Sequence, residues 1–276
     1  MANVRRLAAA SAAVLVGMFG AIGAVGAVGA GPAGAASSPK PLTIVVTNDD
    51  GYNAPGINTM VQALRALPKV TVKVVAPATN QSGTGSKTTA GPIMTTTAKT
   101  LSGYPAVAVQ GYPADTIAVA LGKLHLHPNL VVSGINFGQN LGPVLDLSGT
   151  VGAARAAAAK GIPAVAASQG IGNPVAFPVT AKAVIKWITD NRAKLAVTKT
   201  PQKTIVNVNG PSCGTTGSPR GTVNVPPAQT GPALAPSDCS STTTNPPDDV
   251  TALADGFIVV DKVGASPGST ATPTSS

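Results

Sequence analysis

The sequence predicts an α/β protein built on a parallel β-sheet. Residues 42–47 (LTIVVT) form a short apolar run rich in β-branched side chains, which is typical of a buried strand. Apolar residues at helical spacing follow over residues 57–67, and residues 70–75 (VTVKVV) form a second strand-like run. A strand, a helix and a strand within about 35 residues make a βαβ unit, which requires the two strands to run parallel.

Further strands and helices alternate along the rest of the chain. Short apolar runs predict strands at residues 107–109, 130–132, 164–167, 204–208 and 257–260. Apolar spacing and Ala-rich composition predict helices at residues 113–124, 150–160 and 181–192. Pro113 suits the first turn of the first of these helices.

Changes in composition divide the chain into four segments. Residues 1–36 begin with Arg5 and Arg6, continue as a long uncharged run and end in small residues, a pattern typical of a secretory signal peptide. The run also has the length of an uncleaved membrane anchor. Residues 37–210 are the predicted α/β core. Residues 211–263 are a Gly/Pro-rich arm, expected over residues 211–247 to lie outside the core, followed by a C-terminal segment, and residues 264–276 are a disordered tail. We therefore expect a secreted or cell-envelope protein.

Cys213 and Cys239 are the only cysteines in the sequence. An even count in an exported chain favours one disulfide bond, and two unpaired thiols are the alternative. With no histidine nearby, the pair does not predict a zinc site.

Composition excludes several classes of protein. Only 11% of the residues are charged, against roughly 25% in an ordinary soluble protein, which excludes a charge-rich disordered chain. Aromatic residues make up 3%, too few for a base-stacking surface, so we expect no nucleic-acid polymer as a partner. The net charge of +9 comes from scattered residues and indicates a solvated basic surface with at most a weak attraction for anions.

Polar, Gly-rich loops follow three of the predicted strands, at the edge where open parallel sheets bind ligands. The first loop holds Asp49 and Asp50 in the sequence NDDG. Two adjacent carboxylates repel each other unless a cation lies between them, and oxygen ligands suit Mg²⁺, Mn²⁺ or Ca²⁺. A solvated turn is the alternative interpretation.

The second and third loops add polar groups to the same edge. Residues 81–88 (QSGTGSKT) are similar to a phosphate-binding P-loop but lack its Gly-Lys-Ser/Thr ending, which argues against an ATPase and leaves a flexible loop as the alternative. Asn136, in the third loop, can ligate a metal or donate to a phosphoryl oxygen. Ser148, Gly149 and Thr150 open an Ala-rich helix whose N–H groups and dipole suit a phosphate, although tight helix–sheet packing also requires small residues.

Other catalytic arrangements are poorly represented. The only histidines, His125 and His127, precede Pro128 and are expected to cap a helix or lie at the surface. The sequence contains no Gly-x-Ser-x-Gly motif of the kind that presents a nucleophilic serine.

In their order along the chain, the motifs resemble one family, the SurE survival proteins, which are metal-dependent phosphatases of nucleoside 5′-monophosphates. The matching segments are TNDDGYNAPGI, VVAPATNQSGTGSKTT, GYPADTIAVAL, PNLVVSGINFGQNLG, SGTVGAARAA and GIPAVAAS. The resemblance implies a Rossmann-like parallel sheet with helices on both faces. It also implies an extended arm and a C-terminal segment that join subunits into a homodimer or tetramer.

The same resemblance implies a site and a substrate. A divalent metal, Mg²⁺ or Mn²⁺ with Ca²⁺ as a further candidate, would be held by Asp49, Asp50, Ser82 and Asn136. Small-molecule phosphate esters, nucleotides above all, are the implied substrates. Asn136 and the N–H groups of Ser148, Gly149 and Thr150 would hold the phosphoryl oxygens, and Asp49 would act as a proton acceptor or as a nucleophile. An exported relative that binds a nucleotide without turnover is the alternative function.

The chain departs from the family pattern in four respects. Residues 78–81 (ATNQ) are uncharged where the family carries basic residues, and residues 143–145 (PVL) are apolar where the family is acidic. Residues 211–247 are unlike the family arm, and residues 1–36 carry the export signal that most members lack.

Overall fold

Residues 38–197 and 200–268 are described by the computed structural model. The predicted signal peptide and residues 269–276 of the predicted tail lie outside the described residues. Within the described ranges, no helix is long and apolar enough to cross a membrane.

A nine-stranded β-sheet forms the centre of the molecule. In chain order its strands are β1 (Leu42–Thr47), β2 (Val70–Pro77), β3 (Thr95–Lys99), β4 (Pro105–Val109), β5 (Leu130–Phe137), β6 (Ala164–Gln169), β7 (Thr204–Gly210), β8 (Thr222–Val223) and β9 (Ile258–Gly264). Their spatial order is β3-β4-β2-β1-β5-β6-β7-β9-β8. The six strands from β4 to β7 in this order run parallel, while β3 and β9 are antiparallel to their neighbours β4 and β7. The predicted α/β fold with a parallel sheet is confirmed.

Helices cover both faces of the sheet, as the resemblance implied. They are α1 (Pro55–Arg65), α2 (Pro113–Ala118), α3 (Gly149–Ala159), α4 (Phe177–Leu195) and α5 (Asp249–Ala254). A π-helical turn (Val119–Lys123) continues α2, and a 3₁₀ turn (Gly142–Leu147) precedes α3. Successive residues of β1 point to opposite faces. Ile44 and Val46 therefore join a core with α1 and α4, while Val45 joins a core with α2 and α3.

Some elements differ from the sequence-based expectations. Strand β3 was missed because its sequence, TTTAK, is polar, which is possible only because the strand lies exposed at the sheet edge. Helix α4 begins at Phe177 rather than at residue 181, with a proline in its first turn.

Strand β5 is longer than the sequence predicts. It was expected to end at residue 132 and to lead into a Gly-rich loop, whereas it continues to Phe137. Its pairing with β6 shifts between Ser133 and Asn136, so the last residues form an irregular strand end. Gly134 has φ +134, and a Cβ at this position would lie 2.1 Å from the carbonyl oxygen of Ala167, so only glycine fits there.

The arm, residues 211–247, packs against its own chain. Ala228 and Ala233 are buried in a third apolar cluster with Leu141, Leu253 and Phe257. The expectation that this segment lies outside the core is therefore wrong at these positions, because small alanines between the prolines allow close packing. Exchange of the arm between subunits stays a prediction.

The predicted disulfide bond is confirmed, since Cys213 and Cys239 are joined and no free cysteine is present among the described residues.

The predicted disordered tail begins too early. Gly264 belongs to β9, where its carbonyl accepts a 3.0 Å hydrogen bond from Arg155 Nε, and the N–H of Gly268 donates to Asp146 at 2.9 Å.

Candidate functional site

A tight turn directly after β1 presents the paired carboxylates. The side chain of Asn48 bonds both polar groups of the Gly51 backbone: its Nδ2 donates to the carbonyl at 3.0 Å and its Oδ1 accepts from the N–H at 3.1 Å. Gly51 has φ +106, a conformation that favours glycine. This closed turn fixes Asp49 and Asp50 at the carboxyl edge of the sheet.

Asp49 is buried, with 2% of its surface exposed, and is held by the start of α3. The Thr150 hydroxyl donates to Asp49 Oδ1 at 2.6 Å. Burial raises the pKa of Asp49, and hydrogen bonds from the Thr150 side chain and from the backbone of Gly149 and Thr150 oppose that shift. These donors stabilise the ionised carboxylate in its buried position.

Asp50 lies next to Asp49 and is half-buried. Its Oδ2 accepts a 3.1 Å hydrogen bond from the N–H of Phe137, at the end of β5. Burial, and after it the charge of Asp49, raise the pKa of Asp50 to about 6. A cation between the two carboxylates would offset the repulsion that Asp50 experiences from Asp49.

Asn136 supplies a buried oxygen without a partner. Its Nδ2 donates to the carbonyl of Gly138 at 2.6 Å, while its Oδ1 is buried and accepts no hydrogen bond from the described residues. Buried acceptors without a donor are rare in native proteins and point to a bound water or ion. No group of three or more His, Cys, Asp or Glu side chains in the described ranges is placed to hold a metal. A cation here would therefore need amide or hydroxyl oxygens beside the two carboxylates, and Asn136 Oδ1 meets that need.

The second loop is pinned against both neighbours. The N–H of Gln81 donates to the Asp49 carbonyl at 2.7 Å, and the N–H of Gly85 donates to the Leu147 carbonyl at 3.0 Å. Ser82 follows Gln81 directly and is exposed. The structure thus brings the Ser82 loop to Asp49, and the flexible loop that the sequence left open as an alternative is instead anchored at two points.

The start of α3 faces Asp49. The Ser148 side chain caps the helix by accepting the N–H of Val151 at 3.1 Å, and the N–H groups of Gly149 and Thr150 are directed at the Asp49 carboxylate. A Cβ on Gly149 would lie 2.8 Å from Asp49 Cβ. The small residue is thus required by packing against a side chain of the same protein, which is the alternative that the sequence left open. Binding of phosphate by Ser148, Gly149 and Thr150 stays a prediction.

Sequence reasoning missed several residues that build the site. The hydrogen bonds from Asn48 to Gly51 could have been predicted from the sequence, because Asn at the start of a Gly-containing turn often bonds the backbone two or three residues further on. The 2.8 Å contact between the hydroxyls of Thr47 and Thr116 could not have been predicted, because no local sequence pattern indicates a contact between residues 69 positions apart. His125 and His127 precede β5 and so lie toward its amino end, away from the carboxylates.

These features define an α/β protein whose parallel sheet carries two adjacent carboxylates and a buried amide oxygen at its carboxyl edge. The family model "Survival protein SurE" matches residues 44–228, and the chain belongs to this family.

Named relatives agree with this assignment. The chain is 39% identical over 170 residues to a 5′-nucleotidase SurE of Methylococcus capsulatus, covering 61% of this chain and 64% of that protein. It is 43% identical over 129 residues to a 5′-nucleotidase SurE of Methanopyrus kandleri, covering 46% and 49%. The chain thus spans about half to two thirds of these relatives' length. The crystal structure of the SurE protein from Aquifex aeolicus matches with a TM-score of 0.65 and 28% identity, covering 82% of this chain and 94% of that one.

Proposed function

We propose that the protein is a metal-dependent phosphomonoesterase that hydrolyses nucleoside 5′-monophosphates or related phosphate esters. One observation carries the proposal: Asp50, next to Asp49, accepts the N–H of Phe137, and the neighbouring Asn136 has a buried Oδ1 with no hydrogen-bond partner among the described residues. The name 5′-nucleotidase, which the matched relatives bear, supports the same activity.

We assign Asp49, Asp50, Ser82 and Asn136 to a divalent cation, Mg²⁺ or Mn²⁺ with Ca²⁺ as a third candidate. A bound cation would supply positive charge next to the phosphoryl group. One Nδ2 hydrogen of Asn136 is used by Gly138 and its Oδ1 is left over, which favours the ligand role for this residue over donation to a phosphoryl oxygen.

The remaining roles belong to Asp49 and to the start of α3. Acting either as a nucleophile or as a proton acceptor, Asp49 must be ionised, and its hydrogen bonds from Thr150 and Gly149 favour that form. The start of α3 at Ser148, Gly149 and Thr150, with the positive end of the helix dipole, would attract phosphoryl oxygens as negative charge shifts during reaction, and the N–H groups of Gly149 and Thr150 would then be shared with Asp49.

The proposal also covers the cellular location and the oligomeric state of the protein. Export to a secreted or cell-envelope location is supported by the Cys213–Cys239 disulfide, because such bonds persist in oxidising compartments. Assembly into a homodimer or tetramer rests on the family resemblance, and sedimentation analysis of the purified protein would test it.

Phosphate release tests the activity directly. A panel of nucleotides and sugar phosphates is incubated with and without added Mn²⁺ or Mg²⁺, using the wild type, Asp50→Asn and the exposed surface control Asp190→Asn. We expect metal-dependent release that Asp50→Asn abolishes and Asp190→Asn leaves intact. The asparagine oxygen can still accept the Phe137 N–H, so the fold should survive. Nucleotide binding without any release would instead favour the non-catalytic binding relative.

A further inference from the structure

A cavity of about 490 Å³ lies at the amino edge of the sheet, at the opposite end of the strands from the paired carboxylates. Asn129 and Ile162, which line it, lie just before the neighbouring parallel strands β5 and β6. Lys160, which also lines it, follows the last residue of α3, whose first turn bonds Asp49. The 11 residues of α3 span about 16 Å at 1.5 Å per residue, so the cavity is separate from the carboxylate edge.

The floor of the cavity is apolar. Leu121, Leu126 and Ile162 line it, and each packs on one side against the core between the sheet, α2 and α3. All three are only half-buried, so part of each apolar side chain remains accessible. A molecule with a hydrocarbon or aromatic body would remove this surface from water, which favours binding.

Backbone hydrogen bonds fix both walls. On one side, the N–H of Leu126 donates to the carbonyl of Ala120 at 2.9 Å. On the other, the N–H groups of Lys160 and Ile162 donate to the carbonyl of Ala157 at 2.9 and 3.1 Å. The cavity therefore exists before any ligand binds, and the Ala157 carbonyl in the last turn of α3 is already used inside the protein.

Asn129 supplies a hydrogen-bond donor. Its Oδ1 accepts the N–H of Thr43 at 2.9 Å, and since only an oxygen can accept there, the other amide atom is the Nδ2 donor. This Nδ2 donates to no residue in the described ranges and is not an enclosed atom. The donor is therefore left for a molecule in the cavity.

The cavity lining carries positive charge and no negative charge. The ammonium group of Lys160 forms no hydrogen bond or ion pair with any described residue, and no Asp or Glu lines the cavity. The exposed ring of His127 adds a further N–H donor. One lysine and neutral donors suit the single charge of a carboxylate, and hydrogen bonds to a charged group are the strong ones.

We propose that this cavity binds a small organic monocarboxylate with an aromatic or branched aliphatic body. The carboxylate would accept hydrogen bonds from Asn129 Nδ2 and Lys160 Nζ, and the body would cover the apolar floor. The volume lies within the roughly 300–1,000 Å³ range of small-molecule sites. The inference goes beyond the proposed phosphatase activity, because the cavity contains none of the residues assigned to the cation or to phosphate.

Calorimetric titration with 2-naphthoate tests the chemistry of the ligand. Two matched probes separate its parts: 2-naphthamide keeps the rings without the charge, and acetate keeps the carboxylate without the rings. We expect 2-naphthoate to bind at least about tenfold more tightly than either, because each probe lacks one of the two interactions. Equal affinity for 2-naphthoate and 2-naphthamide, or no binding of 2-naphthoate, would overturn the inference.

Two variants test the position of the site. Asn129→Asp keeps an oxygen for the Thr43 N–H, so the fold should be retained, but it replaces the Nδ2 donor with a negatively charged acceptor. Lys160→Gln removes the charge of an exposed side chain. We expect each to lower 2-naphthoate affinity by about tenfold or more and to change 2-naphthamide affinity by less than about twofold.

The control variant is Lys182→Gln, which removes an exposed lysine of α4 on the opposite face of the sheet and should bind 2-naphthoate as the wild type does. Wild-type affinity in both Asn129→Asp and Lys160→Gln would overturn the inference. So would an affinity that rises with added Mn²⁺, because it would place the carboxylate on the proposed cation at the other edge of the sheet.

Discussion

The Thr150 hydroxyl donates a 2.6 Å hydrogen bond to Oδ1 of Asp49, joining residues 101 positions apart in the sequence. Both side chains are buried, so the bond is protected from water. It fastens the first turn of α3 to the turn after β1. The orientation of a proposed cation ligand therefore depends on the packing of a helix that the sequence places far away.

Thr150→Val tests that dependence with a side chain of nearly equal shape. Loss of the hydroxyl leaves a buried carboxylate short of one donor, so the free energy of unfolding should fall by about 1–3 kcal/mol. Partners that orient a ligand typically contribute roughly 10–100-fold to metal affinity or activity, and a decrease of that size in Mn²⁺ affinity is expected. Urea unfolding and calorimetric titration measure the two effects. The control Thr189→Val removes a hydroxyl from the exposed face of α4 and should change neither the unfolding free energy nor the Mn²⁺ affinity by this amount. Wild-type Mn²⁺ affinity in Thr150→Val would show that cation binding does not require the Thr150–Asp49 hydrogen bond.

Gly149→Ala should weaken both cation and phosphate binding. From the sequence alone, we predict that Gly149→Val weakens phosphate binding and leaves metal affinity nearly unchanged, because no assigned cation ligand lies in the turn. The structure corrects this expectation, since the new Cβ would lie 2.8 Å from Asp49 Cβ and 2.9 Å from Pro113 Cγ. Titration with Mn²⁺ and then with phosphate separates the two cases. Gly122→Ala is the matched control because no atom lies within 4 Å of its added Cβ. A loss confined to phosphate would contradict the packing argument.

Asp261 is another buried acid, and it is not among the residues assigned to the proposed site. It has 1% of its surface exposed, lies opposite Asn207 in the β7–β9 pairing, and neither of its oxygens has a hydrogen-bond partner among the described residues. Burial, and after it the charge of Asp249, raise the pKa of Asp261 well above its ordinary value. The carboxyl group of Asp261 therefore binds a proton more tightly in the folded state than in the unfolded state.

Asp261→Asn should consequently stabilise the protein, and more so at higher pH. In the wild type, the contribution of Asp261 is fully present below the unfolded-state pKa of about 3.9 and is lost as pH rises toward the elevated folded-state value. The variant's advantage in unfolding free energy should thus be larger at pH 8 than at pH 5, reaching at least about 1 kcal/mol. Urea unfolding at both pH values gives this difference, with Asp190→Asn as an exposed control. An advantage that is constant or shrinks with pH would show that the carboxyl is not protonated in the fold.

The Cys213–Cys239 disulfide closes a loop of sequence separation 26 within the arm. Replacing both cysteines by serine should lower the free energy of unfolding by about 3.5 kcal/mol in the chain-entropy account. Thiol titration of the unfolded wild type should detect no thiol before reduction and two afterwards. Reactive thiols without reductant, or an unchanged unfolding midpoint in the double variant, would contradict a stabilising bond.

The elements that the sequence predicts well are those whose signal is local. The apolar run of β1, the helical spacing of Ile57 and Met60 in α1, and the paired Asp49 and Asp50 after a strand all lie within a few neighbouring residues. By contrast, β3 carries a polar sequence that becomes a strand only by pairing with β4.

Long-range contacts explain the remaining differences. Asn136 lies in a strand because β6 pairs with it beyond the irregular position, and nothing in SGIN itself requires that. Gly149 was correctly identified as a position for a small residue, but the atoms that require it belong to Asp49 and Pro113. The contacts of Ala228 and Ala233 with Leu253 are likewise invisible in a Gly/Pro-rich sequence.

The second loop links the two chain segments that flank the paired carboxylates. Gln81 is tied to Asp49 and Gly85 to Leu147, so only three residues lie between the two hydrogen-bonded positions. A Cβ on Gly85 would lie 2.6 Å from the Asp146 carbonyl oxygen, so the loop also packs closely against the segment that precedes α3. Ser82, the proposed cation ligand in this loop, is therefore positioned jointly by the turn after β1 and by the segment before α3, and a change at either anchor should be transmitted to it.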